Sequence, residues 1–248
     1  MVKSMRASAA SDPTVRIVAP GVYFVETRLV NWTLLAGDGT ITLIDAGYPR
    51  DLARIERVLR SIGGELTTIL VTHGHTDHIG AIRGLLAERP TVDVLASSDE
   101  LPNIRRDVKH QVGPRDLLPQ LWRPSVVAWT ARAIAAGGLA DVGVPDVQSI
   151  DVARSHRFSG HDVVPLSTPG HTPGHLAYWL PERKVLVSGD AIVTGHPTST
   201  RSGPHVLAQM FNFDHELAQI SMREALEEPI EVILPGHGPL LELRRPSA

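Results

Sequence analysis

The chain has 248 residues, 42% of them hydrophobic and 21% charged, which is enough to bury a sizeable core without disulfides. It contains no cysteine, so a disulfide framework, a thiolate metal site and a cysteine nucleophile are all excluded, and any transition metal must be held by His, Asp or Glu. The formal net charge of −3 argues against a nucleic-acid partner, and the short basic clusters Arg105-Arg106 with Lys109 and Arg244-Arg245 read as solvated surface.

Residues Met1 to Asp12 carry Lys3 and Arg6 but no apolar core segment, so the start does not read as a secretory signal. No apolar run approaches the roughly 18 residues that a membrane span requires. The expectation is a cytoplasmic enzyme.

Short β-rich segments come first, at Val22–Glu26, Trp32–Ala36 and Thr40–Asp45. Gly37-Asp38-Gly39 between the last two is a hairpin signal. Asp51–Ile62 places apolar residues at 52, 55, 58, 59 and 62, a helical spacing that Gly63-Gly64 ends. A strand over Leu66–Thr72 then runs into His73-Gly74-His75-Thr76-Asp77-His78. Asp77 to Ala87 reads as a helix and Thr91–Ala96 as a strand. The stretch 99–144 holds Pro102, Pro114, Pro119 and Pro124 and reads as a helical insertion. Within it the spacing predicts a helix from Ser125 to Ala136, stopped by Gly137-Gly138. Trp122 and Trp129, seven apart with Val126 between them, are placed on one face of a helix in this insertion. Trp129 has two readings, core packing or the wall of an apolar substrate pocket.

Strands resume at Val147–Val152, His156–Phe158, Val163–Ser167, His175–Leu180 and Lys184–Ser188. A helix over Asp214–Glu227 and a strand over Glu231–Leu234 close the pattern. Two β-rich halves with helices outside suggest a two-sheet sandwich covered on both faces.

The run from His73 to His78 packs four metal-competent side chains into six residues, directly after a buried strand. Neutral imidazole with carboxylate suits zinc, iron or manganese. Three further His or Asp residues stand in the same context, each after an apolar run and flanked by Gly or Pro: His171, Asp190 and His237. Such flanks fix tight loops and allow close backbone approach.

In these motifs the chain resembles the metallo-β-lactamase superfamily. Asp45 in Leu43-Ile44-Asp45-Ala46-Gly47 matches the first of its five motifs, the His-x-His-x-Asp-His run the second, and His171, Asp190 and His237 the third to fifth. The resemblance spans roughly residues 15 to 240. It implies a four-layer αβ/βα sandwich, with 15–248 as a single domain and 1–14 as a disordered N-terminus. It also implies a dinuclear site: His73, His75 and His171 on one metal, Asp77, His78 and His237 on the other, and Asp190 bridging. The metals would be two divalent ions, zinc foremost, with iron or manganese as alternatives. A shared hydroxide between ions about 3.5–4 Å apart would be the nucleophile. Asp77 and Asp190 would be catalytic, Asp77 orienting the hydroxide and passing a proton to the leaving group.

Asp45 and His175 are candidates to orient the ligands, since a metal-bound imidazole needs an acceptor for its other nitrogen. For Asp45 a simple strand-closing turn is the equal alternative; for His175 a structural hydrogen bond outweighs ligation. His110, His156, His161, His205 and His215 read as surface or loop residues, and His196 as a candidate pocket residue.

The superfamily acts on several substrate classes, so the site fixes the reaction better than the substrate. Only eleven residues follow His237, which disfavours a glyoxalase II type with its C-terminal glutathione-binding domain. Lactonases of the superfamily place a tyrosine shortly after the bridging Asp, where this chain has Ala191-Ile192-Val193-Thr194; Thr194, His196 and Tyr48 are the substitutes in reach. The expectation is a hydrolase opening a small ester, lactone or related acyl compound. The alternatives are a mononuclear-iron oxygenase of the same fold, resembling a persulfide dioxygenase, and a β-lactam-hydrolysing member. The partner is a small molecule, with no nucleic acid and no membrane, and a homodimer is left open.

Overall fold

A computed structural model describes residues 3–5 and 14–243. The expectation of a disordered segment 1–14 lies outside the described residues except at Lys3–Met5 and Thr14, and Arg244-Arg245 lie outside them too. In chain order the elements are β1 Lys3–Met5, β2 Thr14–Ala19, β3 Val22–Glu26, β4 Trp32–Gly37, β5 Thr40–Ile44, α1 Leu52–Ile62, β6 Glu65–Leu70, α2 Thr76–Ile79, α3 Ile82–Glu88 and β7 Asp93–Ala96. Then come α4 Leu101–Arg105, α5 Pro114–Leu117, α6 Pro124–Ala135, β8 Gln148–Ser149, β9 His156–Phe158, β10 His161–Ser167, β11 Leu176–Leu180, β12 Val185–Gly189, α7 His215–Ala225, β13 Val232–Pro235 and β14 Leu241–Glu242.

The strands form two sheets. One has eight strands in sequence order, β1 to β8; the other runs β14-β13-β12-β11-β10-β9. The β4–β5 hairpin turns at Asp38-Gly39, both with positive φ, the conformation a two-residue hairpin loop requires. β5, β6, β7 and β8 are parallel neighbours, as are β12 and β13. Parallel pairing sets the C-terminal ends of adjacent strands side by side, and this brings the motif loops to one edge.

Three apolar layers account for the sandwich. Phe24, Leu35, Ile44 and Leu70 of the first sheet pack against Val163, Tyr178, Val187 and Leu234 of the second. On the outer face of the first sheet, Leu43 and Ile69 meet Ile55 and Leu59 of α1 and Ile82 and Leu85 of α3. On the outer face of the second, Trp179, Leu186 and Ile233 meet Ala225 of α7, with Met222 packed alongside. The order is helix, sheet, sheet, helix, as the sequence implies. The sheets are tied together at the motif edge: Tyr178 donates its hydroxyl to Val71 O (2.8 Å), and the Asn31 side-chain amide donates to Pro235 O (3.0 Å).

Several local readings shift. The helix expected over Asp77–Ala87 is interrupted between Ile79 and Ile82, because Gly80 is pressed against Gly47 and Pro49; a Cβ there would lie 2.5 Å from Pro49 Cδ. β8 has only two residues where six were expected. Trp122 precedes α6 and is 79% exposed, so it shares no helix face with buried Trp129. His161 opens β10 and is buried, as is His205, rather than on the surface. No helix among the described residues is long and apolar enough to cross a membrane.

Candidate metal centre

Every motif residue follows a strand end. Asp45 follows β5. His73 and His75 lie in the loop after β6, while Asp77 and His78 sit on α2. His171 follows β10, Asp190 follows β12 and His237 follows β13. All except the half-buried Asp77 are buried. Their donor atoms converge in two groups, His73, His75, His171 and Asp190 in one and Asp77, His78 and His237 in the other, each within 4.8 Å of one another. Asp190 reaches both: its carboxylate lies 3.3 Å from His171 Nε2, 3.4 Å from His78 Nε2 and 3.2 Å from His237 Nε2.

The hydrogen bonds around the cluster fix each imidazole. His75 Nε2 donates to His110 O (2.6 Å), and His237 Nδ1 to Leu29 O (2.6 Å). His171 Nδ1 donates to Asn212 Oδ1 (3.0 Å), whose amide nitrogen is spent on Leu207 O. His78 Nδ1 donates to Asp45 Oδ2 (2.8 Å). Thr72 donates its hydroxyl to Asp45 Oδ2 (2.7 Å), so toward His73 Nδ1 (3.0 Å) the same oxygen accepts. All five rings are thus assigned, through the bond network, a proton on the outward nitrogen and a lone pair on the inward one.

The inward atoms are therefore acceptors facing acceptors. His75 Nδ1 and His171 Nε2 stand 3.0 Å apart with no proton between them in these tautomers. Among the described residues, His73 Nε2, His78 Nε2 and Asp190 Oδ1 are buried without a hydrogen-bond partner. A buried unsatisfied acceptor costs about 1–3 kcal/mol, so such a set is stable only around positive charge. Three imidazoles plus a carboxylate, and two imidazoles plus a carboxylate, are donor sets suited to zinc, iron or manganese. The residues present fit a pair of cations.

The electrostatics agree. Burial, reinforced by neighbouring imidazoles, holds His73 and His75 well below the ordinary histidine range. Burial acts the same way on His78, but Asp190, Asp45 and Asp77 overcome it and push the value up to about 10. Asp190 likewise raises His237 against the effect of burial. Burial would raise the Asp190 carboxyl, yet His237, His78 and His171 hold it well below the usual carboxylate range. His78 and His237, flanked by Asp77 and Asp190, therefore hold a proton more readily than His73 and His75.

Supporting residues differ in how visible they were. Asp45 has φ +62° and accepts from Thr72 N, the Thr72 hydroxyl and His78, so it is more than a turn residue. His175 is not arranged to ligate. Its Nδ1 is bonded to Thr168 Oγ1 (2.8 Å) and its Nε2 accepts from Asp190 N (3.1 Å). Glu100, in the stretch that the sequence left least defined, is fully buried and spans two ligand loops. Oε1 accepts from Gly74 N and Asn103 Nδ2, and Oε2 from the Thr172 hydroxyl and Gly174 N. No motif announces it, nor Asn212 or the Leu29 carbonyl. Arg106 also departs from the surface reading. It donates to Gly74 O (2.7 Å) and Thr76 Oγ1 (3.2 Å) behind the first ligand loop.

The cluster forms the floor of a cavity of about 400 Å³, walled by the insertion. Tyr48, Trp129 and His196 line it. Tyr48 is buried and lies beside Asp77. His196 Nδ1 is bonded to Thr198 Oγ1 (2.8 Å), and burial beside His237 lowers its pKa to about 3. Thr194 instead turns its hydroxyl to Pro239 O (2.5 Å).

Comparison with known proteins adds a family. The model of the metallo-beta-lactamase superfamily matches residues 25–237. The "Probable metallo-hydrolase YflN" of Bacillus subtilis is 31% identical over 244 residues, covering 91% of this chain and 82% of that one. A "Hydroxyacylglutathione hydrolase" of Rhizobium meliloti is 29% identical over 66% of this chain, which spans 49% of that relative's length. Among solved structures, a metallo-beta-lactamase family protein of Thermus thermophilus superposes with a TM-score of 0.64 at 22% identity, covering 91% of this chain and 76% of that one.

Proposed function

The chain belongs to the metallo-beta-lactamase superfamily, and from that membership we propose that it is a hydrolase using two divalent ions, zinc foremost, to open a small ester, lactone or related acyl substrate. The observation that carries this reading is the set of inward lone pairs divided between two groups, with Asp190 within 3.4 Å of imidazoles from both. His73, His75 and His171 would hold one ion and Asp77, His78 and His237 the other, with the Asp190 carboxylate within reach of both groups. Ions held there supply an activated water near neutral pH and Lewis-acid polarisation of the acyl carbonyl.

The chain's own groups do the rest. Asp77 borders the cavity and is the one ligand that is half-buried rather than buried, so its carboxylate is placed to orient the attacking water and carry a proton to the leaving group. Tyr48 lines the cavity wall beside Asp77. Burial and the nearby Asp77 and Asp190 push its phenol up, so it stays a protonated donor for charge developing on the acyl oxygen. Of the three substitutes considered, Thr194 is bonded away from the cavity, while Tyr48 and His196 both line it; Thr198 donates to His196 Nδ1, so the Nε2–H of that ring stands as a second donor beside the Tyr48 phenol. Similarity to hydroxyacylglutathione hydrolases supports acyl hydrolysis as the reaction class.

The test is reconstitution of metal-free protein with zinc and assay against a neutral ester, a lactone, a thioester and a β-lactam. Acyl turnover that disappears on chelation and returns with zinc supports the proposal. Oxygen consumption with one iron per chain and no hydrolysis overturns it, and turnover of the β-lactam alone reassigns the substrate.

A further inference from the structure

The cavity over the metal cluster has a one-sided composition. Its floor carries His75, Asp77, His171, Asp190 and His237. Its walls are apolar, with Val112, Leu117, Trp129, Leu207 and Phe211 prominent among them. Trp129, His196 and Phe211 form an aromatic corner with ring centroids 5.0–5.5 Å apart. At the mouth, Leu118 (64% exposed), Ile134 (49%) and Leu139 (78%) continue the apolar lining to the surface.

Cations are missing from this lining. Among the described residues, neither Lys nor Arg lines the cavity. Arg106 and Arg123, which lie in the same region, are spent on Gly74 O and Thr198 O. An anionic tail lying along this wall would meet apolar side chains and lose its hydration with no cationic partner.

We infer that this cavity selects a neutral acyl compound carrying an extended apolar chain, seated with its reacting carbonyl over the metal cluster and its chain along the wall formed by α5, α6 and the 207–211 segment. The inference rests on the hydrolase reading and narrows it. A cavity of about 400 Å³ is ample for a chain of several carbons. Each methylene buried there adds roughly fourfold to binding. The insertion that builds two walls is thus the specificity element of the site.

The experiment uses zinc-loaded protein and 4-nitrophenyl esters with acyl chains of two, four, six, eight and ten carbons, plus an eight-carbon chain ending in carboxylate. Expected is a kcat/KM that climbs roughly threefold to fourfold per methylene until the cavity is filled. The carboxylate-ended ester should fall at least about tenfold below its neutral counterpart. Ile134→Lys, at an exposed rim position of α6, should raise the carboxylate-ended ester relative to the neutral one by about threefold. A flat series, or a carboxylate-ended ester equal to the neutral one, overturns the inference while leaving hydrolysis standing. A flat series together with a concentration-dependent dimer gives the rim to a second copy of the chain. Absence of turnover of the esters and of a lactone, a thioester and a β-lactam alike is the failure of the hydrolase reading. Calorimetric binding of N-alkylacetamides of the same lengths then decides the cavity separately, rising affinity upholding it and constant affinity refuting it.

Discussion

Asp45 Oδ2 accepts a hydrogen bond from His78 Nδ1 at 2.8 Å and another from the Thr72 hydroxyl at 2.7 Å, and that hydroxyl in turn accepts from His73 Nδ1. One carboxylate therefore orients an imidazole in each half of the cluster. Asp45→Asn preserves shape, and asparagine tolerates the positive φ at this position. It should lower zinc affinity by about 10–100-fold with little loss of fold. Competition with a chromophoric chelator measures this, and wild-type affinity would contradict the orienting role.

Glu100 joins the loop bearing His75 to the loop bearing His171 through three accepted hydrogen bonds, from Gly74, Thr172 and Gly174, and accepts a fourth from neighbouring Asn103. Glu100→Gln replaces one acceptor oxygen with a donor and sets it against a buried N–H or hydroxyl. About 1–3 kcal/mol should be lost for each unsatisfied group, read as a lower urea midpoint of the metal-free protein. An unchanged midpoint would show that the two loops are held by other contacts.

Tyr48→Phe removes the phenol beside Asp77 while keeping the ring in place. It should reduce kcat by about 100-fold or more while metal content stays constant. Loss of metal instead of rate would make Tyr48 a support for Asp77 rather than a donor to substrate.

Metal uptake should release protons. In the metal-free protein its carboxylate neighbours push His78 up to about 10, so it holds a second proton at neutral pH that a metal must displace, and His237 is shifted in the same direction. A ligand must be deprotonated, so apparent affinity should increase as pH rises from about 6 toward 9. The opposite sign would apply if burial dominated at these two residues, as it does at His73 and His75. Calorimetry in buffers of different ionisation enthalpy counts the protons; zero release near neutral pH would contradict the assignment.

The ligand cluster was legible because its residue types repeat one context, a polar or Gly-flanked His or Asp after an apolar strand. Parallel pairing of β5 with β6 and of β12 with β13 then turns sequence context into proximity. Glu100 had no such context. Its role comes from two loops that close on it, whose histidines, His75 and His171, stand 96 residues apart in sequence, and nothing local encodes that meeting. The partners of His75 and His237 are backbone carbonyls, which carry no sequence identity. The break at Gly80 was hidden for a similar reason: α2 and α3 share a helical pattern, and the interruption comes from contact with Gly47 and Pro49.

The central claim is that the seven residues hold two ions. Metal analysis of protein reconstituted with zinc and freed of excess tests it most directly, with wild type compared to His237→Ala. Two zinc per wild-type chain and one in the variant are expected. One zinc per wild-type chain, unchanged in His237→Ala, would contradict it.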